Sequence, residues 1–155
     1  MKFASQKKGY QSCLGYDLNP EEMHFAMKNS KVLFTHSHGA NDLIVLEGGR
    51  FRSSDIQRTS LTKLDLVYVS SCYSGNSFVP TLYNIGGANA ALGFTSTVSA
   101  STESNGIHYF NYYVFFYLNQ GYDLYDAVEH AQRSLFSCSS KYYGSDSVVI
   151  YGNYT

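Results

Sequence analysis

Residues 64–76 read LDLVYVSSCYSGN, an apolar run over Leu66–Ser70 that breaks into Ser71-Cys72-Tyr73-Ser74-Gly75. A short run of β-branched and aromatic residues, closed by a serine- and glycine-containing turn, predicts a strand buried on both faces. That strand ends in a thiol. VLFTHSHG, residues 32–39, repeats the pattern with imidazoles: an apolar run over Lys31–Thr35, then His36-Ser37-His38-Gly39.

Outward from these two runs, strands alternate with helices. Asn19-Pro20-Glu21-Glu22 predicts a helix start, with Asn as N-cap, Pro at the first helical position and acids in the first turn. Met23, Ala26 and Met27 supply its apolar stripe. Tyr10–Leu18 reads as a short extended segment before it. Leu43–Leu46 is a further apolar run, and Gly48-Gly49 marks a turn into Arg50-Phe51. Ser53-Ser54-Asp55 predicts a short helix, Pro80–Ile85 another, and Ala90–Thr95 a strand. A long aromatic helix is expected over Glu103–Asn119, stopping at Gly121. Asp123 then caps an amphipathic helix with Leu124, Ala127, Val128, Ala131 and Leu135 on one side. Val148–Tyr151 closes the chain as a strand. Such alternation predicts an α/β fold with a mostly parallel sheet, whose sites gather beyond the carboxyl ends of the strands.

Composition narrows the function. Of the 155 residues, 44% are hydrophobic and 15% charged, which suits one domain with a substantial core. A net charge of −1 gives no basic footprint, so neither nucleic acid nor an anionic membrane is expected as partner. No stretch approaches the roughly 18 apolar residues of a membrane span. Cys13, Cys72 and Cys138 are odd in number and lack C-x-x-C spacing, which argues against a disulfide framework or zinc knuckle.

Placing both motifs at one edge of a parallel sheet brings His38 toward Cys72. An unperturbed thiol, with a pKa near roughly 8.5, is only a few per cent thiolate at neutral pH. A neighbouring imidazole raises that fraction and later returns the proton to the leaving amine. Cys72 is therefore the candidate nucleophile and His38 the candidate general base. Gly39 permits close backbone approach, and its N–H with that of Cys72 could hold an oxyanion. Ser71, Ser74 and Gly75 shape the turn around the sulfur. Neither a metal nor an organic cofactor is expected, and the partner is a protein or peptide substrate.

These residues resemble the caspase-like (clan CD) cysteine peptidases, in which one apolar strand ends in His-Gly and a later one in Ser/Ala-Cys. LDLVYVSSCYSGN is most similar to the nucleophile segment of the CHAT-domain peptidases. GGANAALGFTSTVSA (86–100), NYYVFFYLNQGYDLYDAVEHAQ (111–132) and VVIYGN (148–153) resemble later segments of that family in the same order. The resemblance implies one CHAT-type domain over residues 1–155, a three-layer α/β/α sandwich around a mostly parallel sheet. It assigns His38 as base, Gly39 as oxyanion donor and Cys72 as nucleophile. It also allows a catalytically latent scaffold, controlled by a regulatory protein or fused domains. Only nine residues precede Tyr10, too few for the family's first strand and helix, so the expectation is either an N-terminal truncation of a longer protein or a fold whose first strand is missing or supplied otherwise. The sequence departs from caspases in spacing, with His38 and Cys72 separated by 34 positions against roughly 50. Ser70-Ser71-Cys72 replaces Gln-Ala-Cys, and no acid stands two residues before Cys72, so side-chain preference is left open.

Plainer readings compete. A cysteine taken alone is more often a small buried hydrophobe than a nucleophile; its strand-end setting favours chemistry for Cys72, while Cys13 and Cys138 read as inert. His24, His108 and His130 fall in helical patterns and read as packing or surface residues. Gly86-Gly87 and Gly93 lack the spacing of a phosphate loop. His36 and His38, at i and i+2 with Asp42 nearby, offer a zinc-hydrolase alternative. Gly39-Ala40, however, stand where that motif needs an acid.

Overall fold

A computed structural model describes residues 14–56, 61, 64–99, 106–135, 144–145 and 147–155. In chain order its elements are α1 (Pro20–Asn29), β1 (Val32–His36), β2 (Gly39–Ala40), β3 (Leu43–Leu46), β4 (Gly49–Arg52), a 3₁₀ turn (Ser53–Asp55) and β5 (Leu66–Ser70). They continue with α2 (Phe78–Asn84), β6 (Ala90–Phe94), α3 (Ile107–Asn119), α4 (Leu124–Ser134) and β7 (Val148–Gly152). The fold is α/β with a mixed, mostly parallel sheet, the class that the alternating pattern predicts. Among the described residues no helix is long and apolar enough to cross a membrane.

Two compact units are described separately. Asp17–Val98 with Ser147–Tyr154 form the first. Its main sheet has the order β1-β5-β6-β7, with β1, β5 and β6 parallel and β7 antiparallel to β6. β5 and β6 are buried at every position, as their apolar runs require. β1 departs from that expectation: Val32, Leu33 and Phe34 are half-buried and only Thr35 is buried, because β1 ends the strand order among the described residues. Tyr68 lies wholly in the core, edge-on to Phe34 at 5.0 Å, and burial pushes its phenol well above the usual range. No strand precedes Val32 among the described residues.

The run Leu43–Leu46 does not join this sheet. It is the middle strand of a separate antiparallel sheet, β2-β3-β4. The cause is loop length: Asn41-Asp42 and Glu47-Gly48 are two-residue connections, which join antiparallel strands, whereas a parallel crossover needs a dozen residues or more. Ile44 and Phe51 still face the core, packed with Met23, Met27, Val67, Val69 and Phe78, while Val45 is exposed.

Local sequence explains the helix ends. Asn19 accepts from Glu22 N at 3.0 Å and Glu22 bonds back to Asn19 N at 3.0 Å, a reciprocal cap at the expected place. The helix expected from Pro80 starts earlier, at Phe78, and ends at Asn84. Pro80 then occupies the first turn, where its missing N–H has no intrahelical partner to lose. Leu14–Leu18 forms no strand, and Tyr10–Cys13 lie outside the described residues.

The second unit carries α3 and α4, which pack on each other. α3 buries Ile107, Phe110, Asn111, Val114, Phe115 and Leu118, a helical spacing. Its expected start at Glu103 lies outside the described residues, as does Cys138. α4 buries Leu124, Ala127, Val128 and Ala131, and Asp123 caps it by accepting from Asp126 N at 2.9 Å. The Tyr117 hydroxyl bonds Ser134 Oγ at 2.7 Å, and its ring lies 5.0 Å from the His130 ring. His130 is thus an aromatic packing residue.

Candidate active site

β1 and β5 run parallel in a register that ends with His36 opposite Ser70. His38 and Cys72 each follow two residues beyond that last pair, at the same edge of the sheet. Side chains tie the strand ends together: His36 Nδ1 lies 3.0 Å from Ser70 Oγ, and Ser37 Oγ lies 3.2 Å from Ser71 Oγ.

Past His38 the chain turns into β2. Val45 N donates to His38 O at 2.8 Å, and Gly39 pairs with Ile44. In an antiparallel ladder this makes Gly39–Ile44 a non-hydrogen-bonded pair, so the Gly39 N–H points away from β3. The α-carbon of Gly39 packs on the cysteine segment. A Cβ there would sit 2.7 Å from Ser71 Cβ, closer than real side chains come, and 3.2 Å from Cys72 O, a tight contact. Any larger residue would have to displace the cysteine segment. Cys72 N–H has no protein acceptor among the described residues.

Cys72 is half-buried and not disulfide-bonded. Its thiol is engaged by main chain on the β6 side: Sγ donates to Val98 O at 3.4 Å and accepts from Val98 N at 3.3 Å. The His38 imidazole is exposed and makes no hydrogen bond among the described residues. The structure therefore brings Gly39, Ser71 and Cys72 into contact and sets His38 beside them, without an imidazole–sulfur hydrogen bond.

The turn after the cysteine is strained and tightly held. Tyr73 has φ 57°, a left-handed conformation costing about 1–2 kcal/mol for a residue with a side chain. Tyr73 N donates to Ser96 O at 3.0 Å and Asn76 N to Tyr73 O at 3.1 Å, which hold it there. Ser74 is fully buried, donating to Val69 O at 3.0 Å and accepting from Phe94 N at 3.2 Å. Ser74→Ala removes both bonds and is expected to destabilise the protein by about 1–3 kcal/mol. A urea midpoint matching the parent protein would contradict this assignment.

Other candidates find ordinary roles. Asp42 pairs with Arg52 at 3.3 Å, and His36 is bonded to Ser70. Among the described residues no group of three His, Cys, Asp or Glu is placed to hold a metal ion. The donor set of the zinc alternative is thus incomplete there. A shallow concavity of about 450 Å³, lined by Pro20, Glu21, His24, Arg50, Phe51 and Asp55, includes none of the strand-end residues.

Val98 and Ser37 carry no signal in the sequence. Val98 acts through its main chain, and a serine between two histidines reveals nothing until its partner Ser71 is known.

No curated protein matches the chain. The CHAT-domain family model matches residues 3–144. The chain thus belongs to the CHAT-domain family, which is related to the caspase-like cysteine peptidases of clan CD.

Proposed function

We propose that this protein is a cysteine endopeptidase acting on peptide bonds of protein or peptide substrates through Cys72 and His38. The observation that carries the reading is the parallel register of β1 with β5, followed by the packing of Gly39 on the Cys72 backbone. The His38 imidazole, the Cys72 thiol and the Gly39 and Cys72 N–H groups, neither of which has an acceptor among the described residues, leave the same sheet edge.

In this reading His38 takes the thiol proton and the sulfur attacks the substrate carbonyl carbon. The carbonyl π electrons move onto oxygen, where Gly39 and Cys72 N–H donate. Each such donor is worth roughly 3–4 kcal/mol in comparable acyl transfers. Collapse breaks the C–N bond, and the imidazolium protonates the departing amine. Water, deprotonated by His38, then hydrolyses the thioester and restores the thiol.

The test is cleavage of an unfolded protein mixture, with new peptide termini mapped by mass spectrometry. Termini that appear with the native chain and vanish with Cys72→Ala are expected. Cleavage that persists in Cys72→Ala, or no new termini at all, overturns the reading.

A further inference from the structure

The strand order β1-β5-β6 puts the residue after β1 and the residues after β6 on opposite flanks of the β5 end. His38 follows β1. Val98 follows β6, and the Cys72 sulfur is bonded to both main-chain polar groups of Val98. The thiol is thus held by the segment that follows β6 and makes no hydrogen bond to the His38 imidazole among the described residues. The segment that holds it is itself anchored, with Tyr73 N donating to Ser96 O at 3.0 Å and Thr95 N to Ser147 O at 2.9 Å.

We infer that Thr95–Val98 is a latch on the resting site: its Val98 main chain holds the Cys72 thiol on the β6 side. The reaction begins only when the side chain leaves Val98 and turns to His38. This inference rests on the reading of Cys72 and His38 as a dyad. The chemistry of the latch is amphoteric. The Val98 carbonyl accepts from the protonated thiol, and the Val98 N–H donates to sulfur in either protonation state. No covalent change is needed to open it. Displacement of Thr95–Val98 by a bound partner or substrate suffices, and observed reactivity scales with the fraction of molecules in the open state.

The latch is tested by measuring iodoacetamide labelling of Cys72 at neutral pH in the native chain, Val98→Gly, His38→Ala and the double variant. Glycine gives the segment more conformational freedom. Val98→Gly is expected to label Cys72 about five- to tenfold faster, by raising the open fraction. That gain should largely disappear in the double variant, because a released thiol without the imidazole is an ordinary one. No acceleration in Val98→Gly, while His38→Ala still slows the native chain, overturns the latch and leaves the dyad standing. Rates indifferent to His38→Ala in both backgrounds overturn the dyad, and the latch with it. A second measurement does not depend on a loop variant. Amide exchange at Val98 is expected to accelerate in Cys72→Ala, which removes the sulfur acceptor; unchanged exchange contradicts the latch.

Discussion

His38→Ala is expected to lower peptide-bond cleavage by about a hundred- to ten-thousandfold, the usual contribution of a positioned acid–base group. The loss should fall on kcat with little change in KM, because in the proposed mechanism the imidazole acts on the reacting proton and not on substrate side chains. Its exposed position means that the truncation opens no core cavity, so the fold should be unaffected. Cys72→Ala should remove at least as much activity, and the double variant little more than the worse single one, since the two residues act as a unit. Progress curves on one peptide, with circular dichroism as the folding control, check this. Losses that multiply in the double variant would mean that the two side chains act independently.

The placement of His38 and Cys72 at one sheet edge was legible because strand ends are. Lys31–Thr35 and Leu66–Ser70 have the continuous apolar character of interior strands, and their polar terminators stand at one edge when the strands run parallel. Asn19 and Asp123 were equally readable, since a cap is encoded within a few residues. The destination of Leu43–Leu46 was not. An apolar run of four residues looks the same in either sheet, and the two-residue connections beside it, not its own composition, decide the pairing. The half-burial of Val32, Leu33 and Phe34 likewise depends on strand order, which hydrophobicity does not encode. Thiol orientation was the least legible feature, because its partner is the backbone of Val98 and any residue type could supply those atoms.

Gly75→Ala is expected to be the most destabilising single methyl addition at the site. Gly75 lies against β6, donating to Phe94 O at 2.8 Å. A Cβ at Gly75 would stand 3.0 Å from Phe94 C and 3.1 Å from Phe94 N, and would overlap a methyl group of Val149. The β-branched Val149 side chain is stiff about χ1, and the Phe94 backbone is held in its ladder with Val148. Overpacking against backbone costs about 1–3 kcal/mol or more. For a protein of this size that lowers Tm by roughly 2–4 °C per kcal/mol, so a drop of several degrees is expected by calorimetry. The turn carrying Cys72 is displaced with it, so activity should fall even below the new Tm. A variant with native Tm and native activity would show that β6 and the turn are not packed as described.

The proposed mechanism requires that His38 serve as base to the Cys72 sulfur at one sheet edge. Iodoacetamide labelling at neutral pH, with the modified cysteine mapped by mass spectrometry, is the test. Faster modification of Cys72 than of Cys13 and Cys138, slowed toward their rate by His38→Ala, is the expected result. A Cys72 rate untouched by His38→Ala, in the native chain and in Val98→Gly alike, would contradict it.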